Sequence, residues 1–171
     1  MGTLSLAVSA EPIQMTPPPE FTELYQRFSE TVYLTALRVT GAPADAEDAL
    51  QTVFLRVLRQ GGQHAEPMPE KYFRRAATNA AVDILRRRLT RSEAQLDESL
   101  SAAAPESPVL LKERLRRALA TLDPRDAELF VLRYVEGLAN GELAKLLGIG
   151  KTGVAVRLFR IRRRLRAEME R

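Results

Sequence analysis

Apolar side chains recur at helical intervals along most of the chain, and no stretch alternates as a half-buried strand would. Phe21, Leu24, Tyr25, Phe28, Val32, Ala36 and Val39 form a first stripe, closed by Gly41. A second runs through DAEDALQTVFLRVLR and carries Leu50, Val53, Phe54 and Val57. Asp45 is its expected cap, Asp48 lies in the first turn where negative charge suits the helix dipole, and Gly61-Gly62 ends it. KYFRRAATNAAVDILRRRL predicts a third helix burying Phe73, Ala76, Ala77, Ala80 and Ile84. Leu111, Leu115, Ala118, Leu119 and Leu122 mark a fourth. Asp123-Pro124, a cap followed by proline at the first helical position, starts a fifth that carries Leu129, Leu132 and Val135 and stops at Gly137. NGELAKLLG predicts a short sixth helix capped by Asn140, and beyond Gly148-Ile149-Gly150 a last helix runs from Thr152 to Glu168.

The pattern lapses three times. Residues 1–20 hold a short apolar patch with no basic segment before it and end in Pro17, Pro18 and Pro19; they read as a disordered tail, neither signal peptide nor helix. GGQHAEPMPE is a loop punctuated by Pro67 and Pro69. Residues 92–108, rich in Ala, Ser and Glu with two prolines, read as a linker. The expected fold is all-α: two small helical domains, 21–91 and 109–171, joined by a flexible linker.

Composition narrows the chemistry. Hydrophobic residues make up 45% of the 171 but aromatics only 6%, so aliphatic side chains must fill most of the core. The 26 Lys and Arg exceed the 22 Asp and Glu by a formal +4, and the basic residues cluster late in each half. With no cysteine, disulfides, thiolate metal sites and a cysteine nucleophile are excluded, which fits a reducing cytoplasm. One histidine, His64, stands alone in the Gly/Pro-rich loop, so neither a serine triad nor a multi-histidine metal site is expected. No apolar run approaches the roughly 20 residues that span a bilayer. The string GIGKTG is reminiscent of a phosphate-binding loop, but that pattern needs a glycine where Lys145 stands, and a preceding strand. Asp45, Glu47 and Asp48 have a sufficient structural role in a first helical turn, and no acid, base and nucleophile converge on them. No catalytic residue, metal or cofactor is expected.

The sixth helix, the glycine-containing turn and the last helix together read as a helix-turn-helix, whose second helix enters the DNA major groove. That helix is strongly basic, with Arg157, Arg160, Arg162, Arg163, Arg164 and Arg166, and Val154, Leu158, Ile161 and Leu165 form its buried stripe. Arg157, Arg160 and Arg164 share another face, placed to meet phosphates or guanine edges.

From Phe21 to Arg171 the chain resembles the extracytoplasmic-function sigma factors of bacterial RNA polymerase. DAEDALQTVFLRVLR is similar to the family's polymerase-clamp segment, YFRRAATNAAVDILRRRLTR to its −10-melting segment, and ALATLDPRDAELFVLRYVEGLANGELAKLLGIGKTGVAVRLFRIRRRLR to its −35-binding module. The resemblance implies a chain that binds core RNA polymerase and promoter DNA, is held in check by an anti-sigma partner, and works in the cytoplasm without membrane insertion. By position, Asp48, Gln51 and Phe54 match a clamp-facing D-x-x-Q-x-x-F, with Asp45 and Arg56 at its rim; Phe54 also fits the core stripe. For −10 DNA the resemblance implies Tyr72, Arg75, Asn79, Asp83, Arg86 and Arg87, with 62–69 as the base-reading loop. Thr78 stands where the family usually has arginine, which removes one backbone contact. For −35 DNA it implies Lys151, Thr152, Arg157, Arg160 and Arg164. Here the chain reads GIGKTGVAVRL against the family's G-I-S-x-G-T-V-K-S-R-L: Gly150 replaces a capping serine, weakening the helix start by about 0.5 kcal/mol, and Ala155-Val156 replace a polar pair. Contact there is expected either to lean on phosphates and DNA shape more than on base edges, or to be taken over by Lys151 and Thr152. The rival reading is a stand-alone helix-turn-helix regulator, which leaves the first half unexplained.

Overall fold

The structure, a computed structural model, describes residues 19–60, 69–94 and 107–170. Seven helices and no strand are found among them: α1 (Pro19–Thr40), α2 (Pro43–Arg59), α3 (Glu70–Ala94), α4 (Pro108–Thr121), α5 (Pro124–Tyr134), α6 (Asn140–Leu147) and α7 (Lys151–Met169). The tail before 19, the loop 61–68 with His64, and linker residues 95–106 lie outside the described residues.

Prolines set several helix starts. Pro19 opens α1 two residues ahead of Phe21, because a fixed φ and a missing N–H cost nothing in a first turn. Pro43 opens α2 behind an extended Ala42, so Asp45 sits inside the first turn and is not the cap. Pro108 opens α4, where the Ser107 hydroxyl accepts from the Leu110 amide, and Pro124 opens α5, where Asp123 accepts from the Arg125 amide at 2.9 Å. The sixth helix includes Asn140, with Ala139 as the preceding cap; Glu142 reaches back to accept from the Ala139 amide at 3.0 Å. Gly150 precedes α7 without any side-chain cap. The third helix runs on to Ala94, past Arg91.

Helices α1, α2 and α3 pack on one another around Phe28, Phe54 and Phe73. The Phe28 and Phe73 rings stack at 4.2 Å, with Phe54 at 5.8 Å from Phe73. The few aromatics are thus concentrated in the first module. The second, α4 to α7, closes over aliphatic residues: Leu119, Leu129, Leu132, Leu143, Val154, Leu158 and Ile161 are all buried. The two modules touch, with α3 packed against both α4 and α5.

Candidate nucleic-acid and partner-binding surfaces

The turn between α6 and α7 depends on Gly148, which takes a left-handed conformation (φ 66°, ψ 32°) that a side chain would strain. The Ile149 amide then donates back to the Ala144 carbonyl at 3.1 Å, and α7 sets off across the module. Val154, Leu158, Ile161 and Leu165 face the core, so at about 3.6 residues per turn the opposite face carries Thr152, Val156, Phe159, Arg160 and Arg163. All five are exposed, Phe159 at 61%. Of the residues expected on −35 DNA, Thr152 and Arg160 lie on this outer face. Lys151 lies over Gly141 of α6, where an added Cβ would come within 3.1 Å of its Cε. Arg157 and Arg164 flank the face and turn toward the module: Arg157 pairs with Asp126 of α5 at 2.7 Å, and Arg164 donates to the Thr121 carbonyl at 3.3 Å. Phe159 is not singled out from sequence, and Val156 and Arg163 are not among the residues expected on −35 DNA. Their signal was available, because each lies opposite the buried stripe in helical register.

On α3 the expected −10 residues divide. Asp83 and Arg87 are exposed. Tyr72 is half-buried with its ring edge-on to Phe73 at 5.6 Å. Arg75, Asn79 and Arg86 bond to the second module while staying partly exposed. Arg75 and Asn79 both reach one oxygen of Glu128, at 2.5 and 3.0 Å, and Arg86 donates to the Leu122 carbonyl. Nearby, the fully buried Glu136 carboxylate accepts from Thr35 at 3.0 Å, Arg38 at 2.8 Å and Arg74 at 3.0 Å. A hydrogen bond to Glu70 raises the Arg74 guanidinium above its ordinary pKa against the opposing effect of burial, and the Glu136 charge adds to the rise. Glu142 meets Lys71 at 2.5 Å; that bond, then the one from the Ala139 amide, holds its carboxyl below the usual range.

On α2, Asp48, Gln51 and Arg56 are exposed, whereas Phe54 is buried within the aromatic cluster and belongs to the core. Asp45 pairs with Arg88 of α3 at 2.6 Å. Leu55, half exposed, shares the outer face with Asp48 and Gln51 at spacings of three and four, a neighbour the motif alone does not reveal. Among the described residues, no group of three or more His, Cys, Asp or Glu could hold a metal, and no helix is long and apolar enough to cross a membrane.

Residues 24–91 match the family described as Sigma-70 region 2, and residues 112–165 match Sigma-70, region 4. Among curated relatives, the RNA polymerase sigma factor CarQ of Myxococcus xanthus is 34% identical over 152 residues, 85% of this chain and 87% of the relative. The ECF RNA polymerase sigma factor SigE of Mycolicibacterium smegmatis is 31% identical over 156 residues, 86% of this chain and 61% of the relative. For BldN of Streptomyces coelicolor the chain likewise spans only 58% of the relative's length. Among solved structures, the sigma factor RpoE of Bartonella quintana, in complex with the anti-sigma factor NepR, aligns with a TM-score of 0.51 over 88% of this chain and 97% of that one. At 17% identity that likeness speaks for the helical fold alone.

Proposed function

The chain belongs to the extracytoplasmic-function sigma factors, and from that membership we propose that it binds core RNA polymerase and directs promoter recognition, DNA melting and transcription initiation, catalysing no covalent step itself. One observation carries the reading. The same chain holds a helix-turn-helix with cations on its outer face and a separate three-helix module whose α2 presents Asp48 and Gln51 away from its core. A stand-alone regulator of duplex DNA needs only the helix-turn-helix.

In this reading α7 lies in the major groove of the −35 element. Arg160 and Arg163 meet phosphates or guanine edges, and Val156 and Phe159 rest on apolar base edges such as the thymine methyl. The α2 face with Asp48, Gln51 and Leu55, flanked by Arg56, docks on polymerase. Along α3, Tyr72, Arg75, Asn79, Asp83, Arg86 and Arg87 hold the opened −10 strand: cations take the backbone, and the aromatic and amide groups take unstacked bases. Partners are core polymerase, promoter DNA and an anti-sigma protein, and the site of action is the cytoplasm. Run-off transcription with core polymerase on genomic fragments, with start sites mapped, tests the proposal. Discrete starts that depend on the added chain are expected. Absence of any transcript, together with failure to co-migrate with core polymerase, overturns it.

A further inference from the structure

At the end of α3 three arginines, Arg88, Arg116 and Arg117, line a small cavity of about 80 Å³ together with Ser92 and Glu113. Leu85, Arg88 and Ser92 lie at spacings of three and four on one face of α3, and Arg116 and Arg117 come from α4. Charge in the cavity is poorly matched. Arg88 already pairs with Asp45 of α2 at 2.6 Å. Arg116 and Arg117 share Glu113, at 3.5 and 3.9 Å, both longer than an ordinary N–H···O hydrogen bond. The Arg116 side chain is only 20% exposed, so solvent screens it less than it would a surface cation. Roughly 10–15 Å³ is enough to hold one water, so the space admits a phosphoryl group with its three terminal oxygens. Ser92 itself is exposed, two residues from the end of α3, and follows Arg86, Arg87, Arg88 and Arg91 in the sequence.

We propose that Ser92 is a phosphorylation site, and that Arg116 and Arg117, with Arg88 beside them, form the receptor for its phosphate. The donor is a nucleoside triphosphate, and the catalyst is a serine/threonine kinase whose acidic cleft matches the basic run before Ser92. The Ser92 oxygen bonds to the γ-phosphorus, the bond from that phosphorus to the β,γ-bridging oxygen breaks, the nucleoside diphosphate leaves, and the hydroxyl proton passes to the kinase's base. The product carries a charge of about −1.5 to −2 at neutral pH and three acceptor oxygens. A phosphate near a helix C-terminus ordinarily disrupts the last turn, because it meets the negative end of the dipole. Here two guanidinium groups from α4 stand opposite, and their planar forks suit paired hydrogen bonds to phosphate oxygens. The modification therefore ties down the last turn of α3 instead of fraying it. Thr90 supplies the contrast. It is exposed, lies about 200° round the helix from Ser92, and is not among the residues of the cavity. Its hydroxyl donates to the Arg86 carbonyl at 3.1 Å, and a phosphate there would meet no cation from α4.

Phosphoserine incorporated at Ser92 of the full chain by amber suppression gives a homogeneous sample. Its phosphorus-31 resonance should titrate at least about half a pH unit below that of a chain carrying Thr90→phosphoserine, because nearby opposite charge favours the dianion. Arg116→Gln together with Arg117→Gln should bring the two titrations together. Arg117→Gln alone, at a half-exposed side chain whose loss the fold tolerates, should recover part of the difference. Deuterium uptake over Arg88 to Ser92 should slow several-fold in the phosphorylated chain relative to the unmodified one. Phosphopeptide mapping of the chain recovered from its own cells, growing and stressed, should place phosphate on Ser92. A titration equal to the Thr90 control, or one that the arginine substitutions leave unmoved, overturns the receptor, as does faster exchange in the last turn of α3. Absence of phosphate from Ser92 under both growth conditions overturns the modification.

Discussion

Phe73 illustrates how much one side chain can hold. Fully buried, it stacks on Phe28, lies 5.8 Å from Phe54, and joins all three helices of the first module. Phe73→Ala should destabilise the chain by about 3–5 kcal/mol, read as a lower denaturant midpoint, since the removed ring leaves a cavity that the helices only partly fill. Phe159 is the opposite case. It is large, apolar and mostly exposed on the outer face of α7, and its truncation should change stability by no more than about 0.5 kcal/mol. Phe159→Ala should nonetheless weaken binding to a −35 duplex several-fold in a titration, with the greater loss on sites that carry a thymine methyl at the contacted step. The sequence marked Phe159 only indirectly. Arginine spacing points to Arg157, Arg160 and Arg164; Arg160 does lie on the outer face, while Arg157 pairs with Asp126 and the still exposed Arg164 reaches the Thr121 carbonyl.

Helix placement was legible because each element carries its own punctuation. Asp123-Pro124 starts α5 where the sequence says it should, and Asp123→Ala should cost about 1 kcal/mol in thermal or denaturant unfolding by orphaning the Arg125 amide. The misplacements are local and share a cause. For α2 and α6 the nearest Asp or Asn reads as the cap, yet Pro43 fixes one start and the reach-back of Glu142 fixes the other, so Asp45 and Asn140 fall inside their helices. Proline at Pro19 likewise opens a helix instead of blocking it, because only the first turn can spare the donor. In α2 the D-x-x-Q-x-x-F spacing located the exposed Asp48 and Gln51, but its third residue serves the core: positions three apart diverge by about 60° round a helix, enough to carry Phe54 from the outer face into the aromatic cluster.

Contacts between the modules left almost no trace in the sequence. Periodicity reports which face of a helix is buried, not by what. The alanines and arginines of α3 read equally well as one buried stripe and one solvated face, and only Val82, apolar and out of register with Phe73, hinted at a second cover. The contact carries a pH dependence through Glu142, which faces Lys71 across the interface and Lys145 on its own helix. Because its carboxyl is held below the usual range in the folded chain, the stabilisation it gives is present above the ordinary carboxylate pKa and is lost as pH falls through the depressed value. Acidification into that window should therefore loosen the modules, seen as a larger radius of gyration in small-angle scattering, and Glu142→Gln should flatten this part of the response. The corner after α1 extends the consequence. Gly41 turns with φ 72° and donates its amide to the Leu37 carbonyl at 2.8 Å, while Arg116 from the second module lies where a Gly41 side chain would be and donates to the Val39 carbonyl at 3.2 Å. One module thus supplies a cation to the carbonyl end of a helix in the other, where it complements the helix dipole. Parting the modules would take that cation away, so deuterium uptake at the Gly41 amide should quicken whenever they part, giving an unlabelled clock for their separation.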